Sequence, residues 1–118
     1  MTAELEPCRL TENEALFLCR GGLARVATVS PEGEPHVVPV AFEFDGRYVY
    51  FGGWNLAKSL KVRHLLWNKK VAVVVDEVVS TSPWRARGLE LRGTAEVLSV
   101  DGRPYVRITP TTKASWGL

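Results

Sequence analysis

Ser59 and Lys61 stand two residues apart in the stretch NLAKSLKVRHLLWNKKV, residues 55–71, at the start of an expected helix. A helix N-terminus exposes unpaired backbone N–H groups and the positive end of the helix dipole. A hydroxyl and an ammonium added there make a site suited to phosphate. Lys58 and Arg63 add positive charge on either side. The plainer reading is that Ser59 caps the helix and Lys61 is a solvated lysine, since serine at helix starts and lysine on helix faces are ordinary. From the residues alone, both readings stand.

Other residue types invite a ligand. The run Ser82-Pro83-Trp84-Arg85-Ala86-Arg87 reads as a basic loop in which an indole plate and two guanidiniums could stack on a planar ring and pair with phosphate. Its alternative is a surface loop with Trp84 partly buried. Trp116, close to the last residue, needs something to pack on, either a subunit interface or the edge of a bound ring. His36 and His64 are the only histidines, and neither shares a ligand spacing with a carboxylate or thiol, so metal is not expected. His64 reads as a solvated helix histidine. No Ser/His/Asp or Cys/His arrangement nominates a nucleophile, which suits chemistry carried by a cofactor.

The elements that must position these residues follow from pattern. Thr11 to Glu14 fits a capping box, and the helix it opens stops at Gly21-Gly22. LARVATVS, PHVVPVAFEF and RYVYF read as three strands joined by tight turns, Asp45-Gly46 forming one of them. Pro39 removes a ladder donor, so its strand must have an edge, a bulge or an opening there. In the helix, Leu56, Leu60, Val62, Leu65 and Leu66 form the expected apolar side. VAVVVD reads as a strand buried on both faces. LELRGTAEVL alternates, and after the Asp101-Gly102 turn RPYVRIT is the last strand. Six short strands, mostly antiparallel, with one helix between the third and fourth, favour a small closed barrel, which removes exposed edges.

Composition bounds the rest. A chain of 118 residues with 46% hydrophobic and 24% charged residues supports one domain, expected over residues 1–118. A net charge of +2 is too small to indicate nucleic acid by itself. Met1 to Pro7 shows no secretory leader pattern and no apolar run has the length of a membrane span, so a cytoplasmic protein with free thiols at Cys8 and Cys19 is expected.

Taken in order, these segments resemble the pyridoxamine-phosphate-oxidase-like split barrels. Ser59, Lys61, Leu65 and Asn68-Lys69-Lys70-Val71 fall in the register of the family's Ser-x-Lys motif and its closing Asn-Pro-Arg-Val, with Lys69 in place of proline. Arg25 to Val29, Pro35 to Val40, Tyr50-Phe51, Arg92 to Ala95 and Ser115-Trp116-Gly117 match further along. The resemblance implies a mostly-β, six-stranded antiparallel split barrel with one or two short helices. It implies a homodimer holding flavin mononucleotide (FMN) at its interface and reducing or oxidising a small-molecule substrate. Ser59 and Lys61, with Lys58 and Arg63, would hold the phosphate. Val38, Pro39 and Val40 would lie against the ring, and Trp84, Arg85 and Trp116 would complete the site. Nucleic acid and membrane are not expected partners. Pyridoxamine phosphate oxidase itself is not expected, because the arginine-bearing C-terminal segment with which that enzyme grips its substrate is missing here. Alternatives are a deazaflavin coenzyme on the same fold, a non-catalytic flavin- or ligand-binding module, and a nucleic-acid binder using Lys58, Lys61, Arg63, Lys69 and Lys70.

Overall fold

A computed structural model describes residues 6–53 and 55–118; the leader reading of residues 1–5 lies outside these. The elements are α1 (Glu12–Cys19), β1 (Gly22–Val29), β2 (Pro35–Phe44), β3 (Val49–Phe51), a 3₁₀ turn (Leu56–Lys58), α2 (Leu60–Trp67), β4 (Lys70–Thr81), β5 (Trp84–Val100) and β6 (Arg103–Trp116). The strands close into a barrel in the order β1-β2-β3-β6-β5-β4, with every pairing antiparallel. The expected mostly-β, six-stranded barrel with two short helices is the fold observed.

Local chemistry explains most boundaries. Thr11 and Glu14 form the reciprocal capping box that starts α1. Asp45 holds the β2–β3 turn by accepting from the backbone N–H groups of Arg47 and Tyr48. The β5–β6 turn uses positive φ at Asp101 and Gly102. Gly93 lies opposite a bulge in β6, where Thr111 is the extra residue, and a Cβ on it would run into the carbonyl oxygen of Thr109.

Alternating residues of the strands fill the interior, among them Ala24, Val26, Val40, Phe42, Val73, Leu89, Leu91, Val106 and Ile108. Several expectations need correction. VAVVVD buries one face only: Val71, Val73 and Val75 point inward, whereas Ala72 and Val74 lie half-buried outside. The segment from Ser80 to Arg87 is not a loop. β4 continues to Thr81, a turn at Ser82-Pro83 reverses the chain, and β5 starts at Trp84. The last strand runs on to Trp116, because β5 is long enough to pair with it throughout.

Candidate functional site

The barrel is open on one side of β2. That strand meets β3 only at Glu43–Tyr50 and Phe44–Val49. Its stretch from Pro35 to Phe42 therefore has β1 on one side and, among the described residues, no strand on the other. Pro39 lies within this one-sided stretch, where a strand proline is tolerated. Backbone polar groups along such an edge are free for a ligand. Side chains alternate: Val40 is in the core, Val38 packs half-buried against it, and Pro39 is exposed. Val38 and Val40 thus present backbone rather than side chain to anything lying outside this edge.

The chain that leaves β3 meets β2 at two described points. Gly52 lines the same cleft as Ala41 and Phe42, and further on the His64 ring touches His36 at the start of β2, with centroids 5.5 Å apart. Ser59 and Lys61 lie in the segment between these two anchor points. Ser59 caps α2: its Oγ accepts from the Val62 N–H at 3.4 Å and donates its proton to the Leu56 carbonyl at 2.7 Å. Its hydroxyl proton is therefore engaged by the chain itself. Lys61 is half-buried, while Lys58 and Arg63 are exposed, and none of the three pairs with a carboxylate among the described residues. The chain itself carries a signal for this, since no Asp or Glu occurs between Gly46 and Val75.

The face that α2 turns inward differs from the apolar one expected. Val62, His64 and Leu65 are buried, whereas Leu60 and Leu66 are exposed. Lys61 and His64, one turn apart, share the inward arc. His64 is not solvated: Thr28 Oγ1, itself fully buried on β1, is hydrogen-bonded to its Nδ1 at 2.9 Å. A helix packed by apolar contacts alone can roll, because hydrophobic burial is non-directional. This one directional bond from the barrel wall sets the roll, and with it the direction of Lys61.

Trp84, Arg85 and Trp116 are not brought to this place. Trp84 is 68% exposed at the tip of the β4–β5 hairpin. The twelve residues of β4 separate that tip from the end of α2 by about 36 Å at roughly 3.3 Å per residue. Trp116 lies over Gly88, where a Cβ would come within 2.5 Å of its ring. Within one chain, the residues expected to form one site thus form a group at α2 and β2 and a second group at the far end of the barrel.

A closed barrel with one strand left one-sided beside a cationic helix start defines a split barrel suited to a coenzyme that joins a flat ring to a phosphate. The chain belongs to the pyridoxamine 5'-phosphate oxidase family of flavin-binding split-barrel oxidoreductases, whose profile matches residues 10–114. It is 36% identical to the 5a,11a-dehydrotetracycline/5a,11a-dehydrooxytetracycline reductase of Streptomyces rimosus subsp. rimosus, with 92% of this chain and 83% of the relative covered. Among solved structures, a conserved hypothetical protein of Mycobacterium tuberculosis superposes with a TM-score of 0.76 at 20% identity, covering 98% of this chain and 89% of that one. A protein described as an F420 reductase gives 0.73 at 24% identity, covering 89% and 98%. These two likenesses establish the fold.

Proposed function

We infer that this chain is a reductase that binds a phosphate-bearing flavin-type coenzyme along the open edge of β2, with the phosphate at the start of α2. The observation that carries this is the set of unneutralised cations Lys58, Lys61 and Arg63 around a helix N-terminus, beside a strand edge with free backbone groups. Lys61, on the inward arc, makes the main charged contact; Ser59 contributes its hydroxyl by turning it from the Leu56 carbonyl. Backbone groups of Val38, Pro39 and Val40 bind the polar rim of the ring. When bound, the reduced ring supplies a hydride to the substrate, and the chain's own part is to hold, orient and shield.

FMN is the first choice of coenzyme. A deazaflavin is the second reading, favoured by the structural neighbour described as an F420 reductase. The reductase class and an organic small-molecule substrate draw support from the Streptomyces relative. A homodimer is part of the proposal. A second copy could bring Trp84, Arg85 and Trp116 to the coenzyme, and the outer sheet offers an apolar surface with Leu23 and Val37 each 63% exposed. We place the protein in the cytoplasm; among the described residues no helix is long and apolar enough to cross a membrane.

A fluorescence titration with FMN, riboflavin and the deazaflavin coenzyme tests this, with sedimentation run alongside. Binding of one phosphorylated coenzyme in preference to riboflavin is expected. Equal binding of FMN and riboflavin would remove the phosphate site, and binding of none would remove the reading.

A further inference from the structure

At the Ala41–Glu43 end of β2, beyond Val38 to Val40 where the coenzyme ring is placed, lies a cleft of about 580 Å³ lined in part by Ala41, Glu43, Tyr50, Gly52, Val100 and Tyr105. This falls within the roughly 300–1,000 Å³ range of small-molecule pockets. Its hollow has a specific cause. Extending the β2–β3 register by two residue pairs and the β3–β6 register by one sets Gly52 between Ala41 and Tyr105, and a Cβ on Gly52 would meet no atom within 4 Å. The missing side chain is what opens the floor.

The walls are aromatic and fixed. Tyr50 and Tyr105 lie with ring centroids 6.1 Å apart and planes inclined by 43°. A ring inserted between them would need its own separation of roughly 4.5–7 Å from each. The pair therefore forms one inclined wall against which a flat molecule lies, rather than a slot that it enters. Tyr50 is locked, because its hydroxyl donates to Asp45 Oδ2 at 2.8 Å and Asp45 is itself held by two backbone N–H groups. Burial and that bond push the phenol of Tyr50 up, so the wall stays neutral. A second hollow, lined by Asp101, Arg103 and Pro104, shares Val100 and Tyr105 with the first and lengthens the surface. Glu43, exposed at the mouth, makes no ion pair among the described residues.

We propose that this cleft is the substrate site, and that it takes a flat, fused-ring organic molecule whose ring system lies on Tyr50 and Tyr105 over Gly52, with a cationic amine at Glu43. The assignment rests on the coenzyme reading above, since the cleft begins one residue beyond Val40 on the same strand. It also goes beyond that reading in naming the surface, the shape and the charge of the substrate. The Streptomyces relative is named as a reductase of a fused-ring molecule, 5a,11a-dehydrotetracycline.

The test uses oxytetracycline, a fused-ring molecule with a basic amine, as the binding probe, and FMN and the deazaflavin coenzyme as controls. Binding of the probe by the chain is the expected result. Gly52→Leu fills the hollow and weakens the probe by about tenfold or more, Tyr105→Ala weakens it by about tenfold, and Glu43→Gln by about threefold, the range for losing one face or group of a pocket. Coenzyme affinity stays unchanged in all three, which also shows that each variant is folded. No binding of the probe, or equal binding by all variants, overturns the proposal. A parallel loss of coenzyme affinity also overturns it, since the cleft would then belong to the coenzyme. Should neither coenzyme bind while the probe binds and is lost in Gly52→Leu, the coenzyme reading falls, and with it the substrate role, while the cleft remains a fused-ring binding site.

Discussion

The two helices are each eight residues long and lie at opposite ends of β1, yet their charges are handled in opposite ways. α1, which leads into the start of β1, has Glu12 and Glu14 in its first turn. The cations around it are matched as well: Lys113 of β6 bonds Glu14, and Arg20, the C-cap, and Arg87 of β5 both bond Glu77. α2, packed near the end of β1 at Thr28, has no acid in its first turn, and its cations have no carboxylate partners among the described residues. A helix end whose dipole is answered by its own glutamates has no need of an anion; one left positive does. The contrast between a helix answered by its own acids and one left positive is what the proposed phosphate site rests on.

The largest way to test that contrast is Lys61→Ala. Affinity for a phosphorylated flavin should fall by about 1.5–3 kcal/mol, the usual worth of a charged hydrogen bond, with riboflavin affinity unchanged. Paired titrations measure it, and equal losses for the two ligands would make Lys61 structural. Thr28→Val comes next. It leaves the buried Nδ1 of His64 without its partner, at a cost of about 1–3 kcal/mol in unfolding free energy. Because the bond also sets the roll of α2, the preference for FMN over riboflavin should shrink in Thr28→Val and return in Thr28→Ser. A loss of stability with the preference intact would confine the bond to holding the fold.

How much of this was legible beforehand depended on whether the cause was local. The capping box, the Asp-Gly turns and the alternation of β5 are short-range effects, and they stand in the structure where the pattern put them. The barrel followed from counting strands. What could not be read were quantities set by register. The inward arc of α2 departs from its apolar pattern because apolarity favours Leu60 and Leu66, while the barrel wall offers Thr28 as a hydrogen-bond partner to His64. The turn at Ser82-Pro83 looked like the beginning of a loop, since serine, proline and arginine carry no strand signal. Pairing with β4 draws Trp84 and Arg85 into β5 all the same. The Tyr50–Tyr105 wall joins residues from two strands whose register no local signal gives. Within the candidate site, the one-sided β2 was half-visible through Pro39, and the position of Ser59 and Lys61 at the helix start was read directly.

The smallest effect belongs to the structural helix, and it sharpens the contrast through pH. Burial tends to raise the Glu14 carboxyl, but hydrogen bonds from the Lys113 and Ser115 side chains and the Thr11 backbone N–H outweigh this and hold it at about 2, below an ordinary value of 4.5. A carboxyl whose folded pKa is depressed contributes stability that is complete above its unfolded pKa and is lost as pH falls through the folded one. Glu14→Gln keeps the shape of the capping box and removes the charge that Lys113 meets. The loss at neutral pH should be about 1 kcal/mol, because the ammonium keeps partial access to water. Between pH 4.5 and about 2 the difference between wild type and variant should narrow as Glu14 takes up its proton. Thermal unfolding of both proteins across that range measures it, and a constant difference would mean that the charge of Glu14 contributes nothing. Phosphorylated flavin affinity at neutral pH should be the same in both, because the charges at α1 are already satisfied within the chain and those at α2 are not.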